Sequence, residues 1–152
     1  MPPKRSTAPR PVILVDTREQ TALQFSPDVD VQIATLPAGD YSVTGCTDRV
    51  AIERKSLPDL VACVGPERER FLDCCRRLRD YELRAVVVEA SLEDVLAHAY
   101  RSETRPQSVI GTTLAIHVDY GVPVLWAGDA DTAANIVERM LVRVWRRSLE
   151  AA

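Results

Sequence analysis

The sequence predicts an α/β fold, a mixed β-sheet flanked by helices, from three observations. Short apolar runs, the first rich in β-branched residues, crowd the stretch before Lys55. Helical periodicity then takes over at Ser56. Two further apolar runs, Ala85 to Val88 and Pro123 to Trp126, alternate with helical segments up to the C-terminal end.

Taken in order, Pro11 to Val15 reads as a buried strand ending at Asp16. Val31 to Leu36 is the next strand, closed by the Pro37-Ala38-Gly39 turn. Tyr41 to Val43 and Arg49 to Lys55, joined by a loop at Thr44 to Asp48, complete an antiparallel meander. Ser56 is placed as a helix N-cap with Pro58 in the first turn, and a helix follows from Glu67 to about Tyr81. In that helix Phe71, Cys74, Cys75 and Leu78 share an apolar face. The continuous apolar run Ala85 to Val88 is the signature of a strand covered on both sides. Ser91 caps a short helix, and another runs from Ser108 to about Tyr120, stopped by Gly121 and Pro123. Asp129 opens a long helix with Ala133, Ile136, Val137, Met140, Leu141 and Val144 on one stripe and Arg139, Arg143, Arg146 and Arg147 on another. Residues 1–10 (MPPKRSTAPR) read as a disordered, basic, Pro-rich leader, and residues 11–152 as one domain.

Apolar residues make up 46% and charged residues 27% of the chain, the balance of an ordinary globular protein. No stretch approaches the roughly 20 apolar residues of a membrane span, and no signal-peptide pattern opens the chain. The expectation is an intracellular protein, of cytoplasm, nucleoid or nucleus, neither secreted nor membrane-bound. Net charge is −3, and without Lys4, Arg5 and Arg10 the remaining 16 cations face 22 acids. That balance weighs against a broad electrostatic footprint for nucleic acid, unless part of the excess is a carboxylate cluster neutralised by a metal ion. Cys46, Cys63, Cys74 and Cys75 form no CxxC pair beside His ligands, so they read as reduced apolar residues rather than a zinc site.

The chemistry concentrates at strand ends. Asp16 closes the first strand, Asp40 opens the third, and Glu53 and Lys55 share one face near the end of the fourth. Neighbouring strands lie about 4.8 Å apart, so these acids converge if their strands are adjacent. Two carboxylates about 4 Å apart repel by about 4 kcal/mol at an effective dielectric of 20, and clustering them calls for a cation. Carboxylate oxygens suit Mg2+ or Mn2+, and acids plus lysine without a His set suit phosphodiester hydrolysis.

In order, VDTRE at 15–19, GDYSV at 39–43, ERKSLPDL at 53–60 and an Arg-rich helix at 68–79 resemble the nuclease domain of the XPF/Hef structure-specific endonucleases, within the PD-(D/E)XK superfamily. The resemblance extends over roughly residues 11–145 and implies a restriction-endonuclease-like fold. It implies metal ligation by Asp40 and Glu53 with Asp16 contributing, and Lys55 as the acid/base or water-orienting lysine. Arg18, Glu19, Arg54 and Asp59 match motif positions with supporting or DNA-contacting roles, as does Arg68 or Arg70. The implied activity is Mg2+- or Mn2+-dependent cleavage of branched or structured DNA in repair or recombination, by a homodimer or a heterodimer. The chain shows no helix-hairpin-helix segment of the kind such nucleases use on branched DNA, so grip is expected from a dimer, a partner chain or the leader.

Blander readings stand beside these. Asp16 and Asp40 suit turns, Asp59 suits a capping box, and Glu53 with Lys55 suits a surface pair of about 0.2–1 kcal/mol. Arg76, Arg77 and Arg79 read as a solvated helix face. A rival from another class is a catalytically dead scaffold that dimerises with an active partner, and a second is a hydrolase of some other phosphate ester.

Overall fold

The computed structural model describes residues 8–152. The leader expected at residues 1–10 lies outside the described residues, apart from Ala8, Pro9 and Arg10. Arg10 donates to the Pro27 carbonyl (2.8 Å) and pairs with Asp30.

Among the described residues, the elements are β1 (Val12–Asp16), β2 (Asp30–Ala34), β3 (Tyr41–Val43), β4 (Val50–Lys55), α1 (Leu57–Ala62), α2 (Arg68–Leu78), β5 (Leu83–Val88), α3 (Leu92–Leu96), α4 (Pro106–Tyr120), β6 (Val124–Trp126) and α5 (Ala130–Glu150). The caps expected from sequence are formed. Ser56 Oγ accepts from the Asp59 N–H, Ser91 and Asp94 make a reciprocal capping box, and Asp129 accepts from Thr132. Gly121 ends α4 at φ 63°. α2 is shorter than the expected Glu67 to Tyr81, running Arg68–Leu78 with Arg79 as its C-cap, and it contains the whole apolar stripe.

The strands form one sheet in the order β2-β1-β3-β4-β5-β6. The β1/β3 and β3/β4 pairs are antiparallel, and β4/β5 and β5/β6 are parallel. β2 does not join the meander between β1 and β3 as its place in the chain suggests. It pairs parallel to β1 on the outer side, with Val12 opposite Asp30. Its burial explains this: Asp30 to Ile33 are all exposed, as an edge strand tolerates and a central one does not.

Helices cover both faces. Leu57, Leu60, Phe71, Leu78, Val95 and Ile116 of α1 to α4 pack with Ala51, Val86 and Val88 on one side. Ala133, Val137 and Leu141 of α5 pack with Ile13, Ile52 and Val87 on the other. Alternation along β4 therefore sends Ala51, Glu53 and Lys55 toward α1 and α2, and Ile52 and Arg54 toward the opposite face. Within β5, Ala85 to Val88 are all buried, the doubly covered strand that its unbroken apolar run implies.

Candidate active site

β1 and β4 run the same way, with β3 antiparallel between them, so Asp16 and Lys55 end their strands at one edge of the sheet. The link across this edge is Gly39-Asp40. The Asp16 N–H donates to the Asp40 carbonyl (2.9 Å), and the Asp40 N–H donates to the Ile52 carbonyl (2.8 Å). Gly39 sits at φ +72°, and a Cβ there would lie 3.0 Å from the Ile52 oxygen. Only glycine lets the chain pass this close to β4 in a left-handed conformation. The Arg54 N–H then donates to Asp40 Oδ2 (2.8 Å), which turns the carboxylate toward Glu53.

These groups line an open cavity of about 570 Å3 between the end of β4 and helices α1 and α2. Asp40, Glu53, Lys55, Glu19 and Asp59 all contribute to its wall, and Arg18, Arg70 and Arg77 add positive charge around it. Burial, then the Glu53 charge beside it, pushes the Asp40 pKa up to about 8, against the pull of the Arg54 N–H. Lys55 Nζ lies 3.8 Å from Glu53 Oε1 and 5.6 Å from the centre of the Phe71 ring. Burial works against the Lys55 ammonium, but Cys63, Glu53, Cys74 and Asp40 outweigh it and its pKa is raised. The Cys63 thiol is itself pushed up to about 11, so at neutral pH the stabilising charges are those of the carboxylates. Lys55 stays a cation there, suited to holding an anion and unsuited to acting as a base.

Asp16 has a different environment. Its carboxylate accepts from the Arg18 N–H (3.0 Å), Arg18 Nε (2.6 Å) and the Leu36 N–H (2.9 Å). Its side chain has no exposed surface, and Asp16 is absent from the cavity wall. Burial alone would raise its pKa, but these donors outweigh it and hold the carboxyl below the usual range. Asp16, expected to contribute to the acidic site, has its oxygens taken by these donors, braces the β1 terminus and points Arg18 at the cavity. Glu19, three residues on, occupies the wall instead.

Arg54 is likewise an internal brace. Its guanidinium pairs with Glu89 (2.5 Å) and Glu19 (3.1 Å) and donates to the Thr21 carbonyl. Tyr41 donates its hydroxyl to the same Glu19 oxygen (2.5 Å), so Glu19 is held from two sides. Asp59 lacks the reciprocal bond of a full capping box: its N–H meets Ser56, while its exposed carboxylate borders the cavity. Of the two basic candidates on α2, Arg70 reaches the cavity, whereas Arg68 extends toward Thr112 (3.5 Å).

Sequence reasoning missed Glu89, Cys74 and Arg77. Cys74 lies on the expected apolar face of α2, yet its thiol donates to Glu53 Oε2 (3.3 Å). Arg77 lies on the exposed face expected of it and also borders the cavity. Only the packing of α2 over β4 brings either to the acids.

Among the described residues, no group of three or more His, Cys, Asp or Glu side chains is arranged to hold a metal ion. The donor set nonetheless fits one class of ion. Mg2+ and Mn2+ sites of phosphoryl chemistry use one or two carboxylates, with water and substrate oxygens supplying the other ligands. Asp40 and Glu53 are such a pair, held together despite mutual repulsion beside an open cavity.

The model of the ERCC4 domain matches residues 15–140, from the end of β1 to the middle of α5. A Methanocaldococcus jannaschii protein named as an ATP-dependent RNA helicase is 25% identical over 82% of this chain and 14% of its own length. The 3′-flap repair endonuclease Xpf of Saccharolobus solfataricus is 29% identical over 74% of this chain and 45% of its own. XPF from Aeropyrum pernix superposes with a TM-score of 0.68 at 25% identity, covering 88% of this chain and 61% of that one. Its complex with DNA superposes at 0.67 and 26% identity, covering 91% and 66%. The chain thus spans less than half the length of the two curated relatives.

Proposed function

The chain belongs to the ERCC4 domain family as an XPF-type nuclease domain, and on that premise we propose that it is a divalent-metal-dependent DNA endonuclease. The observation that carries this reading is the Asp40–Glu53 pair beside Lys55 in an open, cation-rimmed cavity. The likeness to an XPF structure in complex with DNA supports DNA as the substrate.

Asp40 and Glu53 would hold Mg2+ or Mn2+, and the ion when bound supplies Lewis acidity and a more acidic water. Lys55, a cation at neutral pH, holds the scissile phosphate and compensates charge that builds on its oxygens. Arg18, aimed by Asp16, and Arg70 and Arg77 on α2 neutralise neighbouring phosphates. Glu19, clamped by Tyr41 and Arg54, fixes the rear of the cavity and adds negative potential for the cation. Asp16 acts through Arg18 and the β1 terminus rather than on the ion.

We place the cleavage chemistry in residues 11–152, in an intracellular setting where DNA is the substrate. A homodimer, or a heterodimer with a nuclease-family or DNA-binding chain, would supply further grip. The deciding experiment measures cleavage of linear, flapped, forked and four-way DNAs with Mg2+, with Mn2+ and with EDTA. Cleavage that requires the ion and disappears in Asp40→Asn supports the assignment. Equal cleavage by Asp40→Asn refutes it.

A further inference from the structure

We propose that Cys74 is the positioning residue for Glu53: its thiol fixes one carboxylate oxygen so that the carboxylate presents a single orientation to a divalent ion. This inference rests on the reading of Asp40 and Glu53 as the metal-binding pair.

The geometry defines the role. Glu53 leaves β4 on the face that α2 covers, and its two oxygens meet different partners. Oε2 accepts from Cys74 Sγ at 3.3 Å, and Oε1 lies 3.8 Å from Lys55 Nζ. Cys74 is the donor to Oε2, while the lysine lies beyond hydrogen-bond range and the Asp40 carboxyl faces Glu53 from the other side. Without the thiol, Oε2 loses its donor, the carboxylate keeps a loose ion pair with a flexible ammonium beside the Asp40 carboxyl, and its terminal torsion is soft.

The thiol is fit to be a donor. A cysteine thiol ordinarily keeps its proton at neutral pH, and so has one S–H to give. Its backbone is firm as well. Cys75 and Leu78 on the same helix are completely buried, and Phe71, one turn earlier, is nearly so. A single S–H donor is weak, yet it occupies one lone pair only and leaves the rest of Oε2 open to the cavity. Groups that hold a metal-binding side chain in this indirect way are commonly worth 10- to 100-fold in metal affinity.

The test is Mn2+ calorimetry on the full chain, with thermal unfolding in EDTA as a fold control. Three variants are compared: Cys74→Ser keeps a donor, Cys74→Val keeps bulk without one, and Cys74→Ala removes both. The expected result is Mn2+ affinity lowered about tenfold or more in Cys74→Val and Cys74→Ala, and largely restored in Cys74→Ser. A packing role alone would spare Cys74→Val and penalise Cys74→Ala, and that pattern overturns the proposal. So does wild-type affinity in all three. If the valine variant does not fold, the alanine and serine pair decides the same question. Absence of Mn2+ binding in the wild type refutes the underlying metal-site reading instead, which separates the two failures.

Discussion

Asp16 and Asp40 sit at the same edge of one sheet, joined by a backbone hydrogen bond of 2.9 Å, and their carboxylates are treated in opposite ways. Asp16 receives three N–H donors and is held below its ordinary pKa. Asp40 receives one and faces Glu53, which with burial pushes it up to about 8. The first arrangement is what a structural acid needs, because each lone pair taken by the protein is one fewer for a ligand. The second costs stability in the free protein and leaves oxygens available. Neighbouring aspartates on adjacent strands thus differ in how many donors the protein aims at each.

The largest effect expected from this contrast is on catalysis. Asp40→Asn or Glu53→Gln should lower Mg2+-dependent cleavage by about 10²–10³-fold, the scale of losing a principal electrostatic contributor. Both variants should melt, in EDTA, no lower than the parent, since each removes a like-charge contact. A variant that lost activity because it unfolded would show the acids to be structural, and the contrast with Asp16 would collapse.

Asp16→Ala comes next, and its effect should fall on stability. Removing this carboxylate strands the Leu36 and Arg18 N–H groups, at a cost of about 1–3 kcal/mol for unsatisfied donors. The urea midpoint reads this directly. Cleavage should fall much less than for Asp40→Asn, through loss of the Arg18 anchor. A loss of Mn2+ affinity equal to that of Asp40→Asn, at unchanged stability, would return Asp16 to the metal site.

The same pair gives opposite pH dependences without metal. The Asp40 pKa is raised from 3.8 to about 8. Its contribution to stability is therefore fully present below about pH 4 and is lost as pH rises toward 8. The Asp16 pKa is lowered from 3.8, so its contribution is present above that value and lost as pH falls through the folded-state value. Urea midpoints in EDTA should therefore decline between pH 5 and 8, and Asp40→Asn should flatten that decline. Mg2+ should counter it, because cation and proton compete for the same oxygens. A parent protein with a flat profile in EDTA would show that Asp40 is not strained by Glu53.

Much of this site was legible in the sequence, and the limits are physical. Gly39-Asp40 and the Glu53/Lys55 spacing were readable because strand alternation and a left-handed turn are local properties. The caps at Ser56, Ser91 and Asp129 were readable for the same reason. β2 was misplaced because local pattern marks a strand without naming its neighbour, and its exposed side chains show themselves only in the sheet. Glu19 was readable as a motif position, but its exchange of places with Asp16 depends on where Arg18 and Leu36 aim their N–H groups. Glu89 and Cys74 reach their partners, Arg54 and Glu53, across 35 and 21 residues of chain. A thiol at an apolar helix position carries no signal of the carboxylate opposite it.

The smallest expected effect sharpens the contrast at Asp59, which the sequence divides between helix cap and site. A full capping box would have its carboxylate return a bond to the backbone at Ser56, as Asp94 does to Ser91 (2.9 Å). At Asp59 only the Ser56 hydroxyl participates, and the carboxylate is exposed at the cavity edge. Asp59→Asn keeps the N–H and the shape, and removes only the charge near the N-terminus of α1. The stability cost should stay within about 0.3–1 kcal/mol, the usual worth of an acid in a first helical turn. Cleavage, by contrast, should change severalfold, because the charge borders the position proposed for the ion and phosphate. Unchanged cleavage together with the full stability loss would make Asp59 a helix residue and nothing more. Altered cleavage at unchanged stability would place it with Asp40, on the ligand side of the division.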